Sequence, residues 1–382
     1  MKLRIAILAV FIPLTAFAQS WETLQMESPE SIQSVFALGN DSLFALSGNT
    51  NSARIFRSLD AGQTWSETLR SDLGLQYSIG KTPQGSLLTC GFEGKGLRST
   101  DNGSTWSPIS FGRTDWIMDW AALPNGRLLA VGLNGRCFYS DNDGLNWQSP
   151  LPKTNAWLLA ITVDALGTAW AIGTDGIILK TSNGIDWEIV VQDSPNTLTD
   201  LIQGNGTELL ACGFNGELIS SVDSGNTWQV VRTGPEDWNA MLLRQGNYWL
   251  LGTGGMKSAT DSLMLPIPYT FTSLTSGHLL PNGQILAGAK NGRVFIYRFP
   301  IQSLQNPSSA IQLYPNPCQG TFRLQNAHAG MWQLSNSRGQ RLASFSIERS
   351  LEEITLPLGI PPGTYWLQHS ASGQSKFLMV VQ

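Results

Sequence analysis

The apolar positions of this chain fall in short runs separated by turn-forming residues. Residues 116–149 display the pattern: an apolar run at 116–123, the turn Pro124-Asn125-Gly126, a run at 127–131, the turn Gly132-Leu133-Asn134-Gly135, and a run at 136–140. An acidic, glycine-containing turn then leads into a fourth strand at 146–149. Short runs bounded by Gly, Pro, Asn and Asp predict β-strands joined by tight turns. Four antiparallel strands in about 40 residues make one blade of a β-propeller. The middle turn recurs as Gly91-Phe92-Glu93-Gly94, Gly173-Thr174-Asp175-Gly176, Gly213-Phe214-Asn215-Gly216 and Gly252-Thr253-Gly254-Gly255.

The whole unit repeats. Residues 57–65, 98–106, 139–147, 180–187 and 220–228 align, closing on Trp65, Trp106, Trp147, Trp187 and Trp228 at intervals of 41, 41, 40 and 41. Units with one period cannot bury both faces alone and must stack. The aligned segments resemble the Asp-box (BNR) repeat Ser-x-Asp-x-Gly-x-Thr-Trp of sialidase-like propellers. On that resemblance the boxes use Asp60, Gly62 and Trp65; Asp101, Gly103 and Trp106; Asp141, Gly144 and Trp147; Asn183, Gly184 and Trp187; and Asp223, Gly225 and Trp228. The residue chemistry agrees. Asp or Asn accepts N–H groups within a tight turn, Gly supplies a positive φ, and Trp plugs the core. Each box carries one or two carboxylates. Calcium takes about six to eight oxygens, so no metal is expected.

Two further copies lack a good box. One covers 237–268, with Ser258-Ala259-Thr260-Asp261 as a decayed box; the other covers 270–300, contains Pro281-Asn282-Gly283, and stops after the strand 293–298. Ser20-Trp21-Glu22-Thr23-Leu24 matches the strand that comes after a box elsewhere, as in Thr64-Trp65-Ser66-Glu67-Thr68-Leu69. It is expected to pair with 293–298 and close a ring of seven blades, which removes open sheet edges. A monomer is expected.

Both termini carry other signals. Lys2 and Arg4 precede an apolar run at 5–17 that ends in Ala16-Phe17-Ala18, the form of a secretory signal peptide over 1–18. No Cys follows that site, which argues against a lipoprotein. The propeller is assigned to 19–300 and a Gln/Ser/Asn/Pro linker to 301–310. Strands with Gly and Pro turns over 311–382 predict a small Ig-like β-sandwich. Tyr314-Pro315-Asn316-Pro317, Gly363-Thr364-Tyr365-Trp366-Leu367 and the closing strand 376–381 resemble, in order, the type A C-terminal sorting domain of the Bacteroidetes type IX secretion system. The resemblance implies a secretion-machinery partner for 311–382, and a protein secreted or held on the outer surface. The expected fold class is therefore all-β, a seven-bladed propeller followed by a small sandwich.

Composition narrows the chemistry. Charged residues are 14% of the chain and the net charge is −4, which argues against nucleic acid as a partner. The leader is the one apolar stretch that invites a membrane reading, so no transmembrane helix is expected in the mature chain. Four Cys form no Cys-x-x-Cys motif. Cys90 and Cys212 lie three repeats apart, too far for a disulfide, and all four read as apolar fillers. Three His leave little material for a zinc site or a Ser-His-Asp hydrolase. No cofactor is expected.

Binding in such a ring belongs near the channel, on the face shared by the Gly-x-x-Gly turns and the loops 70–76, 110–116, 152–157, 192–198 and 232–238. Trp116, Trp157 and Trp238 end three of these loops, and Arg113 lies in one. Such rings can stack on sugars or fill gaps between blades. Asp119 and Asp200 occupy equivalent places early on innermost strands. A carboxylate pair is the minimum for glycoside hydrolysis; the alternative is a pair bonded to N–H groups or water. Sialidases need an arginine triad and a Tyr/Glu pair. Arg54-Ile55-Phe56 departs from their Arg-Ile-Pro motif, and no candidate Tyr has a Glu close in sequence. The compact repeat is closer to photosystem II assembly-factor-like and sortilin-like propellers, which are binding scaffolds. The expected function is a secreted or surface scaffold for a glycan or protein ligand, without catalysis. The alternative is an extracellular glycoside hydrolase or lyase acting on polysaccharide.

Overall fold

The computed structural model describes residues 20–191, 195–259, 264–267 and 272–299, with the C-terminal segments 312–314, 321–325, 330–336, 341–347, 353–356, 363–369 and 375–380. The expected leader 1–18, the linker 301–310, Pro315-Asn316-Pro317, Cys318 and Thr260-Asp261 of the decayed box lie outside the described residues. The chain divides into two compact units, Met1–Phe299 and Pro300–Gln382.

Seven antiparallel sheets follow one another in the first unit. Blades 1 to 6 begin with the inner strands Ile32–Ala37, Gln76–Lys81, Ile117–Ala122, Leu158–Val163, Leu198–Gln203 and Trp238–Arg244. Blade 7 begins with Leu274–Leu279 and takes its outermost strand, Ser20–Glu27, from the start of the chain. There Trp21 stands opposite Tyr297 and Thr23 opposite Phe295 on the strand Arg293–Arg298. Neighbouring inner strands touch all the way round, and the strand of blade 7 touches that of blade 1. The all-β, seven-bladed ring is closed.

Blade 3 differs from expectation at its rim. The fourth strand foreseen at 146–149 is a single bridge between Tyr139 and Gln148. Pro150 and Pro152 follow. Proline has no N–H to give a ladder, so pairing ends there.

The core lies between blades rather than within them. Second strands such as Leu87–Gly91, Leu128–Gly132, Ala169–Gly173 and Leu209–Gly213 are buried along their whole length, whereas outer strands such as Gln229–Arg232 are mostly exposed. Apolar clusters fill the gaps between neighbouring blades. One joins Val131 and Leu129 of blade 3 to Leu158 and Leu179 of blade 4; the next joins Trp170 and Ile172 of blade 4 to Leu198 and Leu209 of blade 5.

The acidic boxes staple these gaps. In the first, Ser58 Oγ donates to Asp60 Oδ1 (2.8 Å) and accepts from Gly62 N–H (2.8 Å). Thr64 N–H and its hydroxyl reach the two Asp60 oxygens at 2.9 and 2.6 Å. Asp101 and Asp223 repeat this pattern. Box glycines must be bare because the preceding blade presses on them: a Cβ on Gly225 would sit 2.0 Å from Trp170, and one on Gly184 2.2 Å from Leu129. The box tryptophans Trp65, Trp106, Trp147, Trp187 and Trp228 pack into the same inter-blade layers.

The third box corrects the assignment of Asp141. Asn142 accepts from Ser140 Oγ and Asn146 N–H at 2.9 Å each, the place Asp60 holds in the first box. Asp141 lies one residue earlier and pairs with Arg127 at 2.7 Å. In the fourth box Asn183 takes the role with one fewer residue before Trp187, which accounts for the interval of 40.

In the C-terminal unit the described strands form two antiparallel sheets. One orders Gln312–Tyr314, Thr321–Gln325 and Glu353–Thr355; the other orders Arg341–Ile347, Gly330–Asn336, Gly363–His369 and Ser375–Val380. Trp332, Leu334 and Leu367 are fully buried.

Candidate functional site

Each inner strand starts with a bulge, and the residue just past it faces the channel: Ser34, Ser78, Asp119, Ala160, Asp200, Ala240 and Ser276 in turn round the ring. A cavity of about 300 Å³ lies there, lined by residues of all seven blades including Asp119 and Asp200. The structure thus brings the two sequence-identified carboxylates to one channel.

Their oxygens are occupied. Asp119 Oδ1 accepts from the Ser78 hydroxyl of blade 2 (2.8 Å) and Oδ2 from Ile161 N–H of blade 4 (3.0 Å). Asp200 Oδ2 accepts from Met241 N–H of blade 6 (2.6 Å) and Oδ1 from its neighbour Leu201 N–H (2.8 Å). Both carboxylates reach forward to a blade that carries alanine at the equivalent place. Thr199, Asn239 and Thr275 make similar ties to carbonyls of the next blade. Burial pushes Asp119 up to about 6 and Asp200 up to about 7, with the Asp119 charge adding a lesser push to Asp200. The thiols of Cys90 and Cys212 are raised by burial and by these same carboxylates. Cys90, Cys137 and Cys212 are free and buried, as apolar fillers would be.

The loop face carries the aromatics. Trp116 is stacked on Tyr77 (centroids 6.0 Å apart, 25° between planes) and touches Phe92 at 5.0 Å. Trp157 is 51% exposed and borders a cavity of about 450 Å³ with Thr154, Asn155, Ala156, Thr174, Asp175 and Ile177. Trp238 does not belong with them. It is fully buried in the layer between blades 5 and 6, beside Leu210, Cys212 and Leu250. Its place pairs with Gly252, as Ile117 pairs with Gly132 and Leu158 with Gly173, so Asp237 is the true counterpart of Trp116 and Trp157. Arg113 is exposed but engaged, pairing with Asp115 at 2.9 Å; Asp115 also meets Arg136 at 3.5 Å and accepts from Asn134 at 3.1 Å.

The backbone holds these corners close. In blade 4 Thr174 N–H donates to the Trp157 carbonyl (2.9 Å), and Trp157 N–H to the Thr174 hydroxyl (3.0 Å). A Cβ on Gly173 would lie 1.7 Å from the Trp157 carbonyl oxygen, so only glycine permits this approach.

One Tyr/Glu pair does form, between residues 40 apart: the Tyr248 hydroxyl donates to Glu208. Burial and the Glu208 bond raise Tyr248 to about 12, opposite to what a nucleophilic phenolate needs. His278 packs on Phe36 and burial depresses it to about 4. Among the described residues no group of three His, Cys, Asp or Glu is arranged to hold a metal, and no helix is long and apolar enough to cross a membrane.

No family model and no curated protein matches the chain. Solved structures share its fold. Virginiamycin B lyase from Staphylococcus aureus superposes with a TM-score of 0.63 at 13% identity, covering 73% of this chain and 99% of that one. YCF48 bound to D1 peptide gives a TM-score of 0.59 at 17% identity, over 74% of this chain and 95% of that one. The extracellular domain of a putative one-component system from B. thetaiotaomicron gives 0.59 at 14% identity, over 95% of this chain and 59% of that one. At these identities the likeness is one of fold.

Proposed function

We propose that this chain is a secreted or cell-surface β-propeller scaffold that binds a glycan or protein ligand on its loop face, exported by the type IX secretion system through residues 311–382. One observation carries the binding reading. Trp157 presents half of its surface beside a cavity of about 450 Å³, while both oxygens of Asp119 and of Asp200 are held by protein donors. The leader at 1–18 and the ordered motifs of 311–382 support the export route, and a fold neighbour that is an extracellular domain accords with it.

A second reading rests on the channel. Carboxyls at about 6 and about 7 lie where a general acid or base works at neutral pH, and one fold neighbour is a lyase. Incubating the full mature chain with soluble polysaccharides separates the two readings. The scaffold reading expects retention with no new reducing ends and no unsaturated products, unchanged by Asp119→Asn or Asp200→Asn. Turnover that either substitution lowers by about 10²–10⁴-fold would establish the hydrolase or lyase instead. For export, the expected result of removing 311–382 in a type IX-competent host is periplasmic retention, read by fractionation.

A further inference from the structure

The Gly-x-x-Gly turns of blades 2 to 5 place one residue in the left-handed region: Glu93, Asn134, Asp175 and Asn215, with φ of 52°, 58°, 56° and 55°. Three of the four side chains are used inside the chain. Glu93 pairs with Lys95 at 2.9 Å, Asn134 donates to Asp115 at 3.1 Å, and Asn215 donates to Asn196 at 2.9 Å. Asp115 and Asn196 each stand one residue before the carbonyl that receives the N–H of the turn's second residue, those of Trp116 and Thr197. In blade 4 that carbonyl belongs to Trp157, and the residue before it is Ala156. The alanine side chain offers no polar atom. The Asp175 carboxylate therefore has no partner among the described residues, and it lines the cavity beside Trp157.

Parts of the other walls are uncommitted too. No aromatic ring among the described residues stacks on Trp157, in contrast to Trp116 on Tyr77. The Asn155 amide has no partner among the described residues. The Thr174 hydroxyl accepts from Trp157 N–H and keeps its own proton to donate. The cavity volume falls within the range of about 300–1,000 Å³ common to small-ligand sites.

We infer that this corner of blade 4 is a sugar-ring subsite, in which Trp157 stacks on the apolar face of a pyranose and Asp175, Asn155 and Thr174 hold its hydroxyls. The inference rests on the loop-face binding reading and names its ligand. A pyranose needs an aromatic face, acceptors for its O–H groups and donors to its oxygens, and the corner supplies all three. A cationic side chain would use Trp157, Asp175 and the Asn155 amide oxygen, but would leave the Asn155 N–H groups and the Thr174 proton without acceptors.

The test is a glycan array probed with the full secreted chain, followed by calorimetric titration of a retained oligosaccharide. Trp157→Ala should weaken binding about tenfold or more and Asp175→Ala severalfold. Ala156→Asn, whose amide N–H can donate to the Asp175 carboxylate and occupy it, should also weaken binding although Trp157 is intact. Asn215→Ala, in the equivalent turn of blade 5, should leave the titration unchanged. Raising the salt to molar strength should change little, because a neutral sugar has no charge to screen. Near-ultraviolet circular dichroism of each variant guards against unfolding. The inference is overturned if no glycan is retained, if Trp157→Ala binds as wild type does, or if a lysine-rich peptide is held instead and released by salt. A protein ligand lost on Trp157→Ala with no glycan retained removes the sugar and leaves the scaffold reading standing. Ligands indifferent to every loop-face variant remove both.

Discussion

Trp116 and Trp157 stand at the same place in adjacent blades, and each carbonyl accepts the N–H of its own blade's Gly-x-x-Gly turn. Around Trp116, itself 36% exposed, the neighbours are engaged: Tyr77 and Phe92 contact the ring, and Asn134, Arg113 and Arg136 all meet Asp115. Around Trp157 the ring, Asp175 and Asn155 are left facing a cavity. The difference turns on few side chains, chiefly Asp115 against Ala156. A repeat fold can therefore commit the side chains of one backbone corner to each other and leave those of the next uncommitted, at almost no change in the turn itself.

The comparison can be broken most forcefully at Trp116. Trp116→Ala removes two aromatic contacts and should cost about 2–3 kcal/mol of stability, with the affinity of the Trp157 corner unchanged. Chemical denaturation read beside ligand titration checks both halves. Equal loss of affinity would show that the two corners form one site.

The channel offers a second, smaller test, because its carboxylates should affect both corners alike. Asp119 at about 6 and Asp200 at about 7 sit above the value of an unfolded Asp, about 3.9. The folded state thus binds their protons more tightly, so stability rises as pH falls from 8 through 7 and 6 towards 4. Asp101 and Asp223 run the other way. Bonds from Thr105 and Thr227 hold both at about 2, and their contribution, present above the unfolded value, is lost as pH falls through 2. Melting curves across this range should peak at mildly acidic pH, and Asp119→Asn with Asp200→Asn should flatten the limb between pH 8 and 5. An unchanged slope in the double variant would place the titration elsewhere.

The smallest effect contrasts the two acids. Asp115→Ala leaves Arg113, Arg136 and Asn134 without their acceptor and should cost about 1 kcal/mol, discounted for exposure. Asp175→Ala breaks no bond among the described residues and should stay within about 0.5 kcal/mol of wild type. Thermal melts at one pH distinguish them, and equal losses would mean that Asp175 has a structural partner.

Much of the architecture was legible in the order of residues. The tryptophan period, the Gly-x-x-Gly turns and the match of Ser20-Trp21-Glu22-Thr23-Leu24 to a post-box strand specify seven blades and the piece that completes the last. These are local signals: a turn needs its Gly within a few residues, and a strand needs its apolar run. The equivalence of Asp119 and Asp200 was legible for the same reason.

The features that the tertiary structure decided lie across blades, or hang on a single step of register. Trp238 closes a loop as Trp116 does, yet it stands one place later, beyond the start of the strand, and is buried. Asn142 rather than Asp141 caps the third box because the hydroxyl of Ser140 measures from its own position. Asp119 and Asp200 spend their oxygens on Ile161 and Met241, about one repeat further on. The absence of a partner for Asp175 among the described residues emerges only once Ala156 is set beside it. Hydrophobic period and turn chemistry depend on neighbours in the chain, so the sequence determines the blades. Which side chains are satisfied depends on atoms that only the closed ring brings within hydrogen-bonding distance, so the structure determines which polar groups are left uncommitted.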